Sequence, residues 1–222
     1  MTDPTTEFWN DRYKDPMIFA YGKDPNDFLK HALSLYCNKS SKSSSADNNS
    51  IVLNALCLCE GEGRNSIYLA KEYNYKCDCI DLSKEGMNKL KNWSIEENVE
   101  DKINTIIGDL ETYEIKENEY DLIISIFAHT PIPIRKKIHS KVKAALKPNG
   151  YFILEAYTAA NVGRGIGGPQ HTDMCVSKEI LIEELDIKTL HLVETERIVQ
   201  EGLYHLSTTD AAVVQYIGIK ES

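Results

Sequence analysis

The sequence has no apolar run approaching the roughly 18–20 residues needed to cross a bilayer, so no membrane partner is expected. Residues 1–10 carry acids and no apolar core of a signal peptide, so a cytoplasmic location is the expectation. There is no excess of basic residues. Lys and Arg number 25 against 34 Asp and Glu, a formal net charge of −9. An acidic surface repels phosphate backbones, so nucleic acid is not expected as a partner. No Gly-Lys-Ser/Thr loop of the Walker A type occurs. Cysteine is present, but not as the C-x2-C knuckles that structural zinc prefers. The six cysteines are expected to be thiols in a reducing compartment. Cys57/Cys59 and Cys77/Cys79 lie in apolar, strand-like runs and are read as core packing, with no metal site.

What is present suits one α/β domain of 222 residues, 42% of them hydrophobic. Residues 1–37 form an aromatic-rich N-terminal segment and a helix over about 25–36. Phe8, Trp9, Tyr13, Phe19, Tyr21 and Phe28 lie there, punctuated by Pro16, Gly22 and Pro25, which break any long helix. Residues 38–50 are of low complexity and read as a flexible linker. Residues 51–222 are the core. Strands are predicted over 51–59, 76–80, 104–107, 120–127 and 151–157, with helices over 64–73, 84–98 and 134–146, the last closed by a turn at 147–150. A Gly-rich loop at 163–168 and a helix over about 177–185 follow. The runs 190–199 and 211–219 have no helix between them and predict an antiparallel hairpin. The expected fold is a doubly wound, mostly parallel seven-stranded sheet with helices on both faces and an antiparallel C-terminal hairpin strand.

Glu60-Gly61-Glu62-Gly63-Arg64-Asn65 follows the first strand and opens a helix, the context that binds a nucleotide. Asp81 ends the second strand 20 residues beyond Gly61, the spacing of an acid that bonds ribose hydroxyls. Asp109, in Gly108-Asp109-Leu110, ends the third. Each feature has a plain alternative, an ordinary βα turn or a helix cap. Together they mark the carboxyl edge of the sheet, where open α/β folds bind ligands. Ser66 stands where a dinucleotide site has its third glycine, and Glu60 and Glu62 disfavour a pyrophosphate. They suit a ligand with an ammonium and a sulfonium group.

These stretches resemble the motifs of class I S-adenosylmethionine-dependent methyltransferases, with Tyr120-Asp121-Leu122 and Ser125-Ile126-Phe127 resembling the fourth motif. Phe8-Trp9-Asn10-Asp11-Arg12-Tyr13, Phe19-Ala20-Tyr21-Gly22 and Glu155-Ala156-Tyr157-Thr158 resemble the tellurite-resistance and thiopurine-methyltransferase-like branch. The resemblance implies a Rossmann-like methyltransferase fold and S-adenosylmethionine as cofactor. It implies that Glu60, Gly61, Gly63 and Asn65 hold the methionine end, Asp81 with Leu82 the ribose, and Asp109 with Leu110 the adenine. Ser125 and Phe127 complete the site, and Trp9, Tyr13, Tyr21 and Gly22 are lid candidates. Packing on the core is the competing role for these aromatics.

His129, just past the fourth strand, is the first candidate for a base, followed by Tyr157. Arg197 and His205, near the final hairpin, are candidates to hold an anionic acceptor. The resemblance to tellurite-resistance members implies a longer final hairpin with a histidine and arginines; the hairpin here is short and has no arginine after His205, a departure that counts against tellurite. The expected partner is a small methyl acceptor, such as a thiol, thiopurine or chalcogen oxyanion, for a monomer or homodimer. An NAD-dependent oxidoreductase and a non-catalytic S-adenosylmethionine-binding module are the competing readings.

Overall fold

A computed structural model describes residues 5–37 and 52–222. The linker expected over 38–50 lies outside the described residues. The N-terminal segment holds α1 (Thr6–Tyr13) and α2 (Asp27–Tyr36). Then come β1 (Leu53–Leu58), α3 (Arg64–Tyr73), β2 (Tyr75–Asp81), α4 (Lys84–Glu96), β3 (Ile103–Ile107) and β4 (Tyr120–Ile126). They are followed by α5 (Ile132–Ala145), β5 (Leu146–Tyr157), α6 (Lys178–Glu184) and β6 (Lys188–Arg197). The chain closes with β7 (Gln200–Glu201), β8 (His205–Leu206) and β9 (Ala211–Ile219).

The main sheet has seven strands in the order β3-β2-β1-β4-β5-β9-β6. The first five are parallel, and β9 inserts antiparallel between β5 and β6. Order reverses between β1 and β4, so the crevice at their carboxyl ends is the topological switch point. The expected fold is therefore observed, hairpin included.

Alternating strand residues feed two cores. Ala55 and Cys57 of β1 join Cys77 and Cys79 of β2 beneath α2, α3 and α4. Leu56 and Leu58 face the other way, with Phe152, Leu154 and the apolar stripes of α5 and α6. Cys57 lies opposite Cys79 in the parallel register, and both are fully buried as free thiols. They pack as small hydrophobes between the sheet and its helices. Helix α2 buries Phe28, Leu29, Ala32 and Leu33, and its N-cap Asn26 accepts from the Leu29 N–H.

Three details depart from the sequence reading. The aromatic N-terminal stretch contains an eight-residue helix, α1, capped by Thr5 and finished before Pro16. The turn expected at 147–150 is a wide bulge within β5. Tyr120 pairs with Leu146, whereas Leu122 pairs with Tyr151. Beyond β6, Gln200–Glu201 and His205–Leu206 make a separate two-stranded sheet that no periodicity announced.

The two cores predict a contrast. Phe152 is fully buried, so Phe152→Ala should cost about 3–5 kcal/mol in urea unfolding. Ile182 is 66% exposed on α6, so Ile182→Ala should change stability by less than about 0.5 kcal/mol.

Candidate active site

The loops leaving β1, β2, β3 and β4 enclose a cavity of ≈ 380 Å³. The first is the glycine turn. Gly63 caps α3 at φ +94°, and a Cβ there would stand 2.1 Å from Leu90 Cδ1 of α4. Only glycine lets the two helices meet at this point. Gly61 donates its N–H to Asp81 (2.9 Å), which ties the turn to the end of β2.

The two acids of the turn have different fates. The Glu60 carboxylate accepts from the Ser66 N–H at 2.7 Å and so sits over the N-terminus of α3. It satisfies an orphan donor in the place a bound phosphate would take. Burial, opposed by that N–H, pushes its carboxyl up to about 7. Glu62 instead accepts from the Ala20 N–H (2.7 Å) and pairs with Lys89. Its charge is neutralised, and its task is to hold the N-terminal segment. Of the two acids expected to favour a cationic ligand, Glu62 is thus already paired.

Asp81 is nearly buried and accepts from the N–H groups of Gly61 and Ser83 (2.9 and 2.8 Å). Each oxygen keeps a lone pair for a hydroxyl donor. Burial raises its pKa, and these N–H groups oppose the shift. Leu82, Gly108, Asp109 and Leu110 continue the wall. Asp109 Oδ1 accepts from the Glu111 N–H (2.8 Å), so one oxygen shapes its own turn.

The N-terminal segment covers the cavity with Trp9, Tyr13, Tyr21 and Gly22. The Tyr13 hydroxyl lies over Gly61, where a Cβ would meet it at 2.8 Å. Trp9 stacks on Tyr13 with centroids 5.8 Å apart. Asn10 accepts from the Ser83 hydroxyl (2.8 Å) and the Glu85 N–H (3.2 Å), fastening α1 to the start of α4.

The far wall is aromatic. Phe127 leaves β4 at φ +53°, a strained conformation for a bulky side chain. His129 lines the cavity, but both its ring nitrogens face backbone: Nδ1 lies 3.0 Å from the Met174 carbonyl, and Nε2 accepts from the Tyr157 N–H at 3.5 Å. Burial depresses its pKa to about 4, so the ring is neutral at pH 7.

Three other expected residues are not brought to the wall. Ser125 is buried within β4. Tyr157 is fully buried behind Phe127, at 4.7 Å between ring centroids. Arg197 is bound to Glu155 through Nε (2.8 Å) and Nη2 (2.5 Å). Its charge answers a buried carboxylate rather than an incoming anion.

What the sequence reading did not assemble is the set around Glu201. Arg64 Nη2 donates to Glu201 Oε2 (2.7 Å), and His205 Nδ1 meets the same oxygen at 2.9 Å. His205 lines the cavity from the small β7–β8 sheet. The only signal for this was the i, i+4 spacing of Glu201 and His205, which means little without the turn that folds one over the other.

Residues 55–150 match the model of a family described as a methyltransferase domain. Solved structures share the whole architecture at low identity. TehB from Haemophilus influenzae is 18% identical, with a TM-score of 0.66 over 97% of this chain and 67% of that one. A SAM-dependent methyltransferase from Aquifex aeolicus is 15% identical, with a TM-score of 0.61 over 99% of this chain and all of the other. Phosphoethanolamine N-methyltransferase 2 from Haemonchus contortus, solved with S-adenosyl-L-methionine, is 13% identical, with a TM-score of 0.63 over 98% of this chain and 58% of that one. Residues 55–150 thus resemble a methyltransferase domain, and the fold is that of the Rossmann-like methyltransferases.

Two outcomes follow for the turn and the far wall. Gly63→Ala combines a left-handed φ with a clash between the new Cβ and the Leu90 side chain and should destabilise by about 1–3 kcal/mol in urea, whereas Glu60→Gln, which keeps an acceptor for the Ser66 N–H, should cost less than about 1 kcal/mol at pH 7. For His129 the folded-state pKa lies below that of the unfolded chain, so the unfolded chain takes up the proton first as pH falls. Stability should therefore drop from about pH 6.5 towards about pH 4, and His129→Asn should remove that part of the decline in urea midpoints. Glu60 works in the opposite sense: the native state gains its proton first as pH falls through about 7, so its contribution rises there.

Proposed function

We propose that this enzyme transfers a methyl group from S-adenosylmethionine to a small-molecule acceptor, within the tellurite-resistance and thiopurine-methyltransferase-like branch. The observation that carries the choice of cofactor is the Glu60 carboxylate over the N-terminus of α3. It occupies the anion site that a dinucleotide would need for its pyrophosphate. A nucleoside ligand without phosphate meets no such conflict, and a positively charged one favours the ionised forms of Glu60 and Asp81.

The remaining residues fit the same group. Asp81 retains lone pairs for ribose hydroxyls, with Leu82 beside it. Asp109 and Leu110 form the wall for the adenine. Gly61, Gly63 and Asn65, with Glu60, hold the methionine end. Asn65 Oδ1 already accepts from the Asn26 backbone N–H (3.0 Å), so the side-chain nitrogen Nδ2 is the part left for a ligand. Trp9, Tyr13, Tyr21 and Gly22 close the site from above, and Phe127 closes it from below. Ser125 supports the exit of β4.

When bound, S-adenosylmethionine supplies an electrophilic methyl group on a sulfonium centre. The chain has to align an acceptor with that methyl and keep water away. The aromatic cover and the apolar far wall exclude water. His129, neutral and fixed by two backbone groups, orients the acceptor as part of that wall. Tyr157 and Arg197 act at one remove: Tyr157 supports Phe127 and His129, and Arg197 neutralises Glu155. Thiols, thiopurines and chalcogen oxyanions are the acceptor classes that the branch suggests.

Titration calorimetry tests the reading. S-adenosylmethionine and its demethylated product should bind in the micromolar range, and NAD should not bind. Asp81→Ala should weaken the product complex at least tenfold, about 1.4 kcal/mol. NAD binding in place of the methyl donor, or an unchanged affinity in the Asp81 variant, would overturn it.

A further inference from the structure

We propose that His205 is the general base for a neutral, protic acceptor, a thiol in its S–H form, and that Glu201 is the positioning residue that holds it ready. The inference rests on the methyltransferase reading above and deepens it. His205 Nδ1 lies 2.9 Å from Glu201 Oε2. The same carboxylate receives Arg64 (2.7 Å) on Oε2 and the Asn26 amide (3.1 Å) on Oε1. An ionised carboxylate can only accept, so it fixes the proton of His205 on Nδ1. Nε2 is then the lone-pair nitrogen, on a ring that lines the cavity. His129 differs in having backbone partners at both nitrogens.

The charge around this base points to the acceptor. Arg64 is the only lysine or arginine lining the cavity among the described residues, and Glu201 neutralises it. Arg197 faces the network from β6 but is paired with Glu155. Arg12 donates to the Tyr21 hydroxyl (2.9 Å) and lies 3.8 Å from the Tyr204 ring centre. Rings supply the other neighbours of His205: Tyr21 at 4.7 Å, Phe127 at 4.9 Å and Tyr157 at 5.5 Å. His129 beside them is neutral at pH 7. An oxyanion entering here would lose its hydration and, among the described residues, meet no cation of the cavity lining that is not already paired with a carboxylate, which is costly. A neutral thiol pays no such penalty, but it must shed a proton to become a strong nucleophile.

The proton balance is direct. The S–H proton passes to His205 Nε2, and the electron pair left on sulfur forms the new bond to the methyl carbon. The pair of the broken carbon–sulfur bond stays with the departing thioether. The imidazolium is stabilised by Glu201 until it loses its proton to solvent. Burial lowers the His205 pKa and the Glu201 hydrogen bond opposes that shift, so the base is free at neutral pH. The Glu201 carboxyl, which burial would raise, is held down at about 2 by His205 and Arg64, so it remains ionised throughout.

Two measurements test this. Two-bond 1H–15N spectra of the full chain with S-adenosylhomocysteine should show His205 as the Nδ1–H tautomer at pH 7. In Glu201→Gln the amide competes as a donor to Nδ1, so the Nε2–H tautomer should appear and the His205 titration should move to lower pH. With methyl donor present, a panel of neutral thiols (2-mercaptoethanol, benzyl mercaptan and 4-nitrobenzyl mercaptan) should be turned over in preference to selenite and tellurite. His205→Ala should lower kcat/KM by at least 100-fold, while product affinity by calorimetry stays within twofold. An Nε2–H tautomer in the wild type, thiol turnover indifferent to His205, or a preference for the oxyanions would each overturn the assignment. So would a protein that binds the cofactor product and turns over none of the thiols. Failure to bind the cofactor product would sink the underlying methyltransferase reading instead.

Discussion

The site depends on one buried carboxylate. Glu155 lies in β5 with no exposed surface, in the middle of a sheet where an unpaired charge would cost several kcal/mol. Its partners come from three places in the chain, Arg197 on β6, Asn26 before α2 and Gln215 on β9, and the Asn26 amide also reaches Glu201 on β7. Satisfying that charge requires the N-terminal segment and the final hairpin to be brought to the same spot. Asn26 does this while also capping α2. The cover over the cavity and the histidine in its wall are thus consequences of neutralising a charge that neither of them touches.

The fold was legible because its signals are local. The alternation of apolar strands with amphipathic helices, and the missing helix before β9, predicted the sheet and its antiparallel strand. The glycine turn, Asp81 and Asp109 were legible for the same reason, since each sits at a strand end. The rest was hidden in tertiary pairing. Nothing in the sequence says that Glu62 faces Lys89, or that Arg197 turns to Glu155 and away from the cavity. The β7 and β8 strands are two residues each, too short for any periodicity to register. His129 stood next to a strand end and was read as the base, whereas His205, read as a group to hold an anion, lies in an irregular stretch and has no backbone partner at Nε2 among the described residues.

The two glutamates of the glycine turn show how position sets the role of identical side chains. Glu60 bends back onto the helix it precedes, and Glu62 reaches out to the segment that covers the site. One fills the anion position at the helix end. The other decides whether the cover is attached.

That attachment continues into the hairpin. Gly202 sits at φ +60°, so close to the 20–22 backbone that a Cβ would lie 2.4 Å from both the Ala20 carbonyl and the Gly22 nitrogen. Leu203 donates its N–H to the same Ala20 carbonyl at 2.7 Å. The chain that roofs the cavity and the turn that carries His205 are therefore joined by backbone contacts. Any motion that admits or releases the nucleoside by lifting residues 20–22 also strains the support of the imidazole. On the role proposed for His205, the base and the roof over it share one support and cannot be displaced separately.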